Sequence, residues 1–343
     1  MKQGCKYGTH RVIEPQGVLP QAANKINNDM SIYSNEMLID VIALNIDSAS
    51  FRQISEACEG DETKIKQMIQ DIVDDRGKMQ NPVTGSGGML IGTVKEIGED
   101  FPGDVKVGDK IATLVSLSLT PLKIDQINRI LPEIDRVEID GSAILFESGI
   151  YAKLPDDISE ALALAALDVA GAPAQMAKLA KPGQSILILG AAGKSGTMVA
   201  YEARKRVGPT GRVVGMDAFE AGAQKLRQTG FCHEVIVADA SRPMDVLQKA
   251  LDANHGEEYD LAINVVNIPN TEMSTILPVK NGGIVYFFSM ATSFTKAALG
   301  AEGVGKDVTM IIGNGYTKDH AEITLEVLRE SKILRDLFEK SYQ

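Results

Sequence analysis

The sequence predicts an α/β protein of two domains, a small β-barrel followed by a doubly wound parallel sheet. A length of 343 residues is typical of two domains. Glycine-rich strand segments begin at Gly85, whereas strands and helices alternate after residue 155. A buried strand also runs directly into three closely spaced glycines within Ser185–Gly196. We therefore expect one domain over residues 1–155 and a second over 156–343.

The composition indicates which kinds of binding partner the protein is expected to have. The chain is 44% hydrophobic and 24% charged, as in ordinary globular proteins. Its formal net charge of −11 argues against a nucleic-acid partner. The N-terminus MKQGCKYGTH has no apolar core of a signal peptide, and the Ala-rich stretch Ala161–Ala180 is interrupted by charges. We expect a cytoplasmic protein with no membrane partner, in which 161–180 is a buried helix.

The first domain is predicted to open with an irregular arm over residues 1–35. Residues 37–45 then alternate between apolar and polar types, which predicts a strand. Apolar residues at helical spacing over 65–72 predict a helix, and the segment 85–116 reads as short strands broken by Gly, Pro and Asp. Residues 150–154 are expected to form the last strand of this barrel.

The second domain is predicted from a series of short apolar strands separated by helical segments. Such alternation favours a parallel sheet covered on both faces. The amphipathic segment 318–339 is expected to end the chain as helix. The predicted strands are Ile186–Leu189, Val213–Met216, Glu234–Ala238, Leu261–Val266, Ile284–Phe288 and Val308–Ile312.

The stretch SILILGAAGKSG carries the clearest functional signal. Gly190, Gly193 and Gly196 follow the strand, in a GxxGxxG pattern close to the GxGxxG of dinucleotide-binding loops. The helix predicted from about Ser195 to Val207 would direct its first N–H groups at a phosphate. Asp217 ends the next strand, 21 residues after Gly196, where an acidic residue binds the adenosine ribose.

A P-loop is excluded by spacing. The letters GAAGKS resemble part of GxxxxGK[ST], but the required first glycine falls on Ile188. That residue lies inside the predicted strand, so a long phosphate-binding loop has no room to form.

The predicted cofactor is NAD. Asp217 would accept hydrogen bonds from ribose hydroxyls and repel the 2′-phosphate of NADP, and the following AFEAG has no basic residue. Residues after later strands are expected to flank the adenine and the nicotinamide, with ordinary loops as the alternative. The predicted cofactor-binding residues are Gly190, Ala192, Gly193, Ser195, Gly196, Asp217, Asp239, Ala240, Asn267, Ser289 and Met290.

Two motifs resemble the medium-chain dehydrogenase/reductase superfamily. GTVKEIGEDFPGDVKVGDKIA is similar to its barrel signature, and PGQSILILGAAGKSG to the cofactor loop of its quinone-reductase-like branch. The resemblance spans roughly residues 35–340. It implies a GroES-like β-barrel domain plus a Rossmann domain, with NAD(P) in the cleft between them.

The chain departs from the zinc-dependent members of that superfamily. Where they have Gly-His-Glu, this chain has Gly87, Gly88 and Met89. No cysteine lies near residues 48–50 or 166, where two thiolate ligands would be expected. We therefore expect no metal.

The rest of the chain, including GTHRVIEPQGVLPQAANK, resembles zinc-free members that deaminate a diamino acid in lysine fermentation. The resemblance implies an NAD-dependent amino acid dehydrogenase that converts a 3-amino group into a ketone and releases ammonia. A small diamino acid carries both signs of charge. We therefore assign Asp168 to a substrate ammonium, Arg11 to the carboxylate, and Ser48 and Ser50 to substrate or water.

Other interpretations stay open at this stage. Asp168 can instead be a helix cap, Ser48 and Ser50 turn residues, and the arm carrying Arg11 purely structural. A zinc-free quinone or enoyl reductase, or an NAD-binding sensor without turnover, would share the fold. The apolar segment 308–312 is predicted at a sheet edge, so we expect a homodimer or larger assembly.

Overall fold

The computed structural model describes residues 1–313 and 315–342. They form two compact units that divide after Asp157, two residues beyond the boundary proposed from the sequence. Within the described residues, every helix is too short or too polar to cross a bilayer.

The first unit is built on a six-stranded antiparallel sheet in the order β6-β7-β3-β4-β5-β8. The long strand β3 lies between β4 and β7, and most of its side chains are buried, including Ile39 and Leu44. The strands are β1 (Val12–Glu14), β2 (Lys25–Ile26), β3 (Glu36–Ile46), β4 (Gly88–Ile97), β5 (Lys110–Thr113), β6 (Leu122–Leu131), β7 (Arg136–Phe146) and β8 (Tyr151–Lys153), with helices α1 (Ser48–Ala57) and α2 (Glu62–Arg76).

The N-terminal arm is more regular than its sequence suggests. It contains a short 3-10 helix, Thr9–Arg11, and the hairpin β1–β2. Arg11 is 2% exposed and pairs with Glu36, at 2.7 Å from Nε and 2.6 Å from Nη2. Its remaining donors go to the carbonyl oxygens of Asn27, Asp29 and Ser31. All five N–H groups are used within the arm and β3.

The structure does not favour the predicted role of Arg11 in binding the substrate carboxylate. A guanidinium whose N–H groups are all hydrogen-bonded cannot bind a second carboxylate unless the arm opens. Burial alone would raise the pKa of Glu36, but hydrogen bonds from Arg11, His10 and the Tyr33 N–H outweigh it and hold that pKa at about 2. The pair fastens the arm to the first strand of the sheet.

The second unit contains the parallel sheet expected from the sequence, in the order β11-β10-β9-β12-β13-β14. All five neighbouring pairs are parallel. The strands are β9 (Ser185–Leu189), β10 (Arg212–Asp217), β11 (Glu234–Val237), β12 (Tyr259–Asn264), β13 (Val279–Phe287) and β14 (Thr309–Ile312). The helices are α3 (Glu160–Leu167), α4 (Gly171–Leu179), α5 (Lys194–Val207), α6 (Glu220–Thr229), α7 (Pro243–Ala253), α8 (Glu272–Ile276), α9 (Phe294–Gly303), α10 (His320–Glu330) and α11 (Lys332–Tyr342).

One expected helix is divided. Residues 161–180 form α3 and α4 rather than one continuous helix. Pro173 explains the break, because it has no N–H to donate and its ring would clash with the carbonyl of Val169 in a continuous helix. Asp168 consequently lies at the end of α3 and not inside a buried helix.

The buried Arg11–Glu36 pair yields a stability prediction. We expect Arg11→Met to lower the free energy of unfolding by about 3–5 kcal/mol, because it leaves a buried carboxylate uncompensated. Chemical denaturation measures this change. The exposed Arg52 on the same unit provides the control, and Arg52→Met should change stability by no more than about 0.5 kcal/mol.

The pH dependence adds a second readout of the same pair. The pKa of Glu36 is lowered in the folded protein, so its contribution is present above the unfolded pKa and lost as the pH falls toward 2. Glu36→Gln has no carboxyl group to protonate, so this loss of stability at low pH should disappear. A stable Arg11→Met protein with a raised KM for substrate would instead restore the carboxylate-binding role.

Candidate functional site

The candidate site lies at the carboxyl ends of the parallel strands. The chain leaves β9 toward β10 and β11 on one side of the sheet order, whereas β12, β13 and β14 lie on the other. The strand order therefore reverses between β9 and β12. In open α/β sheets, ligands bind in the crevice outside the strand ends at this switch point.

The three glycines after β9 have different structural tasks. Gly190 has a φ of +82°, which favours glycine, and a Cβ there would lie 3.0 Å from Val266 Cγ2. A Cβ on Gly196 would clash with the Gly190 carbonyl oxygen and lie 2.6 Å from Ala191 Cα. Gly190 thus makes the turn, and Gly196 allows α5 to pack against the end of β9.

Gly193 is the open position of the loop. It is the N-cap of α5 and has a φ of −74°, so its backbone would accept any residue. A Cβ there would meet only the Gly190 oxygen, at 3.4 Å, and Gly193 is exposed. The glycine therefore leaves a cradle over the first turn of α5. Helix N-termini of this kind bind phosphate through backbone N–H groups and the helix dipole.

The carboxylate of Asp217 lies at the end of β10, on the neighbouring strand. Its Oδ1 accepts a hydrogen bond from the Phe219 N–H at 3.1 Å. A Cβ on Gly222 would fill the space beside it, 2.5 Å from Oδ1 and 3.2 Å from the Ala192 Cβ. Gly222 therefore allows α6 to approach the Asp217 carboxylate closely, beside Ala192 of the glycine loop. These residues suit a dinucleotide.

The other predicted cofactor residues lie at the same edge, and their roles stay predictions. Asp239 follows β11, is exposed, and accepts hydrogen bonds from the N–H and hydroxyl of Ser241; the backbone hydrogen bond contributes most to lowering its pKa. The neighbouring Ala240 is buried. Ser289, Met290 and Asn267 follow β13 and β12, and the side chain of Met290 is 90% exposed.

Sequence reasoning missed Asn264. The fourth strand ends at Asn264, two residues before its predicted end, so Asn264 and not Asn267 is the asparagine at the strand terminus. Asn267 is exposed in the following loop, whereas Asn264 is completely buried. The signal that could have identified it was an asparagine that interrupts the otherwise apolar run LAINVV.

The environment of Asp168 differs from the predicted one. Its side chain is 62% exposed and not buried among apolar residues, because α3 ends at this point. The carboxylate already pairs with Lys194 of the glycine loop, at 2.6 Å. A substrate ammonium would therefore have to share this carboxylate with Lys194.

Ser48 and Ser50 belong to the first turn of α1 and not to a separate turn. Ser48 is exposed and donates to the Asp135 carboxylate. Ser50 is buried, and its Oγ lies 2.6 Å from both the Thr84 and the Ser86 hydroxyl oxygens. This hydroxyl cluster can donate or accept hydrogen bonds, whereas Ser48 already has an acidic partner.

The backbone explains why zinc ligands do not fit at 87–89. Gly88, at the position of the histidine in zinc-dependent proteins, has a φ of +110°. A side chain there would clash with the Asn45 oxygen and lie 2.8 Å from the Asp47 nitrogen. Across residues 1–313 and 315–342, no three His, Cys, Asp or Glu side chains are grouped to hold a metal ion.

Known proteins that resemble the chain along its whole length agree on one family. The family model for the L-erythro-3,5-diaminohexanoate dehydrogenase N-terminal domain matches residues 10–155. A curated L-erythro-3,5-diaminohexanoate dehydrogenase from Acetoanaerobium sticklandii is 71% identical over 342 residues, which cover 99% of each chain. Another from Fusobacterium nucleatum subsp. nucleatum is 69% identical over 344 residues, covering 100% of each chain.

Solved structures resemble the chain in fold alone. An alcohol dehydrogenase from Thermus sp. ATN1 has a TM-score of 0.53 at 18% identity, covering 92% of this chain and 88% of that chain. A mycobacterial protein complexed with NADPH has a TM-score of 0.51 at 15% identity, covering 90% of this chain and 81% of that chain. These likenesses confirm the predicted fold, a GroES-like β-barrel domain plus a Rossmann domain.

The glycine loop provides a matched pair of substitutions. Gly193→Ala should leave stability nearly unchanged and raise the Kd for the dinucleotide about tenfold or more, because the added methyl fills the phosphate cradle. Gly196→Ala should instead lower the free energy of unfolding by about 1–3 kcal/mol, because it overpacks the contact with β9. Fluorescence titration and urea denaturation separate the two effects. Unaltered cofactor affinity in Gly193→Ala would exclude the loop as the phosphate site.

Proposed function

Because the chain belongs to the L-erythro-3,5-diaminohexanoate dehydrogenase family, we propose that it oxidises L-erythro-3,5-diaminohexanoate with NAD. The products are 5-amino-3-oxohexanoate, ammonia and NADH, in the fermentation of lysine. The observation that carries the proposal is the 71% identity to a dehydrogenase of that name over 99% of both chains. The alternative quinone or enoyl reductases match in fold at no more than 18% identity.

The chain's own residues would bind and orient the cofactor. The first turn of α5 receives the pyrophosphate above Gly193, and the Asp217 carboxylate accepts hydrogen bonds from the adenosine ribose. When bound, the nicotinamide accepts a hydride from the amine-bearing C3 of the substrate, and the resulting imine is hydrolysed by water. Ser50 is the candidate for orienting substrate or that water, through the hydroxyl cluster with Thr84 and Ser86.

The proposal needs no Lewis acid. An amine, unlike an alcohol, becomes a competent hydride donor once it loses the proton of its ammonium form, which happens at mildly alkaline pH. Zinc ligation at Gly88 is sterically blocked, so we include metal independence in the proposal. Asp168 stays a candidate for the second substrate ammonium, which would share the carboxylate with Lys194.

The proposal extends to assembly and location. Strand β14 forms the edge of the parallel sheet, and its Ile312 is 59% exposed. An uncovered edge with apolar side chains favours pairing with a second copy, so we include a homodimer. Cys5, Cys58 and Cys232 are all free thiols, which is typical of the reducing cytoplasm.

The reaction itself is the principal test. Incubation with L-erythro-3,5-diaminohexanoate and NAD should release one ammonia per NADH, and the rate should rise with pH until the C3 amine is largely neutral. Absorbance of NADH and a parallel ammonia assay measure both products. Activity should survive dialysis against a chelator. Efficient reduction of a quinone or enoyl substrate, without NADH formation from the diamino acid, would favour the reductase alternative.

Cofactor preference tests the role of Asp217. The unmodified protein should have a higher kcat/KM with NAD than with NADP. Asp217→Ala should lower kcat/KM for NAD at least about tenfold, since a hydrogen bond to a charged group contributes about 1.5–3 kcal/mol. Asp217→Asn keeps acceptor atoms but removes the charge, so it should gain NADP use while losing less with NAD. Better use of NADP by the unmodified protein would refute the NAD assignment.

A further inference from the structure

The buried amide of Asn264 ties together the loop that follows β12. Its Oδ1 accepts a hydrogen bond from the Val266 N–H at 2.9 Å. Its Nδ2 donates to the hydroxyl oxygens of Thr271, at 2.8 Å, and Thr275, at 2.9 Å. Both amide hydrogens are therefore used. One side chain fastens the loop at its start, near Val266, and at its end, where α8 begins.

The backbone of Asn264 also organises the neighbouring strand end. Its carbonyl oxygen accepts hydrogen bonds from the N–H groups of Phe288, at 3.0 Å, and Ser289, at 3.3 Å. Asn264 thus sets the course of the chain where both β12 and β13 leave the sheet. These are two of the segments that border the carboxyl edge.

The fastened loop forms a wall against the glycine turn. The ideal Cβ position of Gly190 lies 3.0 Å from Val266 Cγ2 and 3.3 Å from Val265 Cγ2. A small rotation of the Val265–Val266 backbone would therefore press on Gly190 or open a gap beside it. Because Oδ1 of Asn264 holds the Val266 N–H, it limits that rotation.

We infer that Asn264 is a positioning residue for the nicotinamide cofactor, acting through the Val265–Val266 backbone. This inference rests on the cofactor assignment in the proposed function. A buried amide costs free energy unless all of its hydrogen bonds are made, and here they connect loop to helix. The network fixes the shape of the crevice before the cofactor arrives, which reduces the ordering cost of binding.

A second buried asparagine, which precedes β12 in the chain, provides the control. Asn254 is also buried, at 5% exposure, and its Nδ2 donates to the Glu257 carbonyl oxygen at 2.8 Å. It precedes β12, at the amino end of the strand, whereas Asn264 ends it. Substitutions at the two positions therefore remove similar buried amides, one before β12 and one at its carboxyl end.

The experiment compares NADH affinity with stability. Asn264→Ala should raise the Kd for NADH, measured by fluorescence titration, about tenfold or more. Asn264→Ser should recover part of that loss, because a hydroxyl at this position can still accept from the Val266 N–H. Asn254→Ala should lower the free energy of unfolding in urea without changing the Kd. Thr271→Val, which removes one Nδ2 partner, should weaken NADH binding less than Asn264→Ala and serves if the alanine variant fails to fold.

Failure of the inference and of the proposed function can be distinguished. If the unmodified protein binds neither NAD(H) nor NADP(H), both are overturned. If it binds NADH and neither Asn264→Ala nor Thr271→Val changes the Kd, the positioning role alone is refuted. An equal rise in the Kd for Asn254→Ala would likewise show that loss of stability, and not loop position, sets affinity.

Discussion

The contact between α5 and the end of β9 constrains the rest of the second unit. Gly196 brings the helix so close to Ala191 that no side chain fits between them. Because of this close approach, the first turn of α5 lies below the open cradle at Gly193. The chain must therefore turn at Gly190. The loop after β12 then has to pass against Gly190. Close packing of backbone on backbone thus determines the shape of the crevice before any side chain recognises a ligand.

Local patterns were sufficient to predict most of this site. The apolar strand, the three glycines and Asp217 all lie within residues 186–217, at the positions where a βαβ unit places them, so the local sequence was enough to predict how they meet in the fold. Asn264 was missed because strand ends are set by packing: the apolar letters Val265 and Val266 continue the pattern although the strand has ended. The division of residues 161–180 depended on Pro173, whose effect outweighed the continuous apolar composition.

Buried and exposed charges could not be distinguished from sequence alone. Arg11 and Glu36 are 25 residues apart and meet only because the arm folds back along β3. Asp168 lies in the least polar stretch of the chain, yet the end of α3 exposes it to solvent and to Lys194. Burial is a property of the packed fold, and the letters around a charge do not determine it. Arg11, which was expected to bind the substrate carboxylate, pairs with Glu36, and Asp168, which was expected to be buried, is exposed.

The departure from the sequence pattern of zinc-dependent proteins lies in the backbone and not only in the side chains. At Gly88 the residue sits where β4 begins beside the Asn45 and Asp47 backbone, with a positive φ that a histidine would rarely adopt. Replacing that glycine by a histidine would therefore displace strand pairing before it supplied a ligand. The loop from 81 to 86 instead brings the Thr84 and Ser86 hydroxyls to Ser50. Hydroxyl groups can form hydrogen bonds with an amine substrate or with the attacking water without the cost of a buried charge.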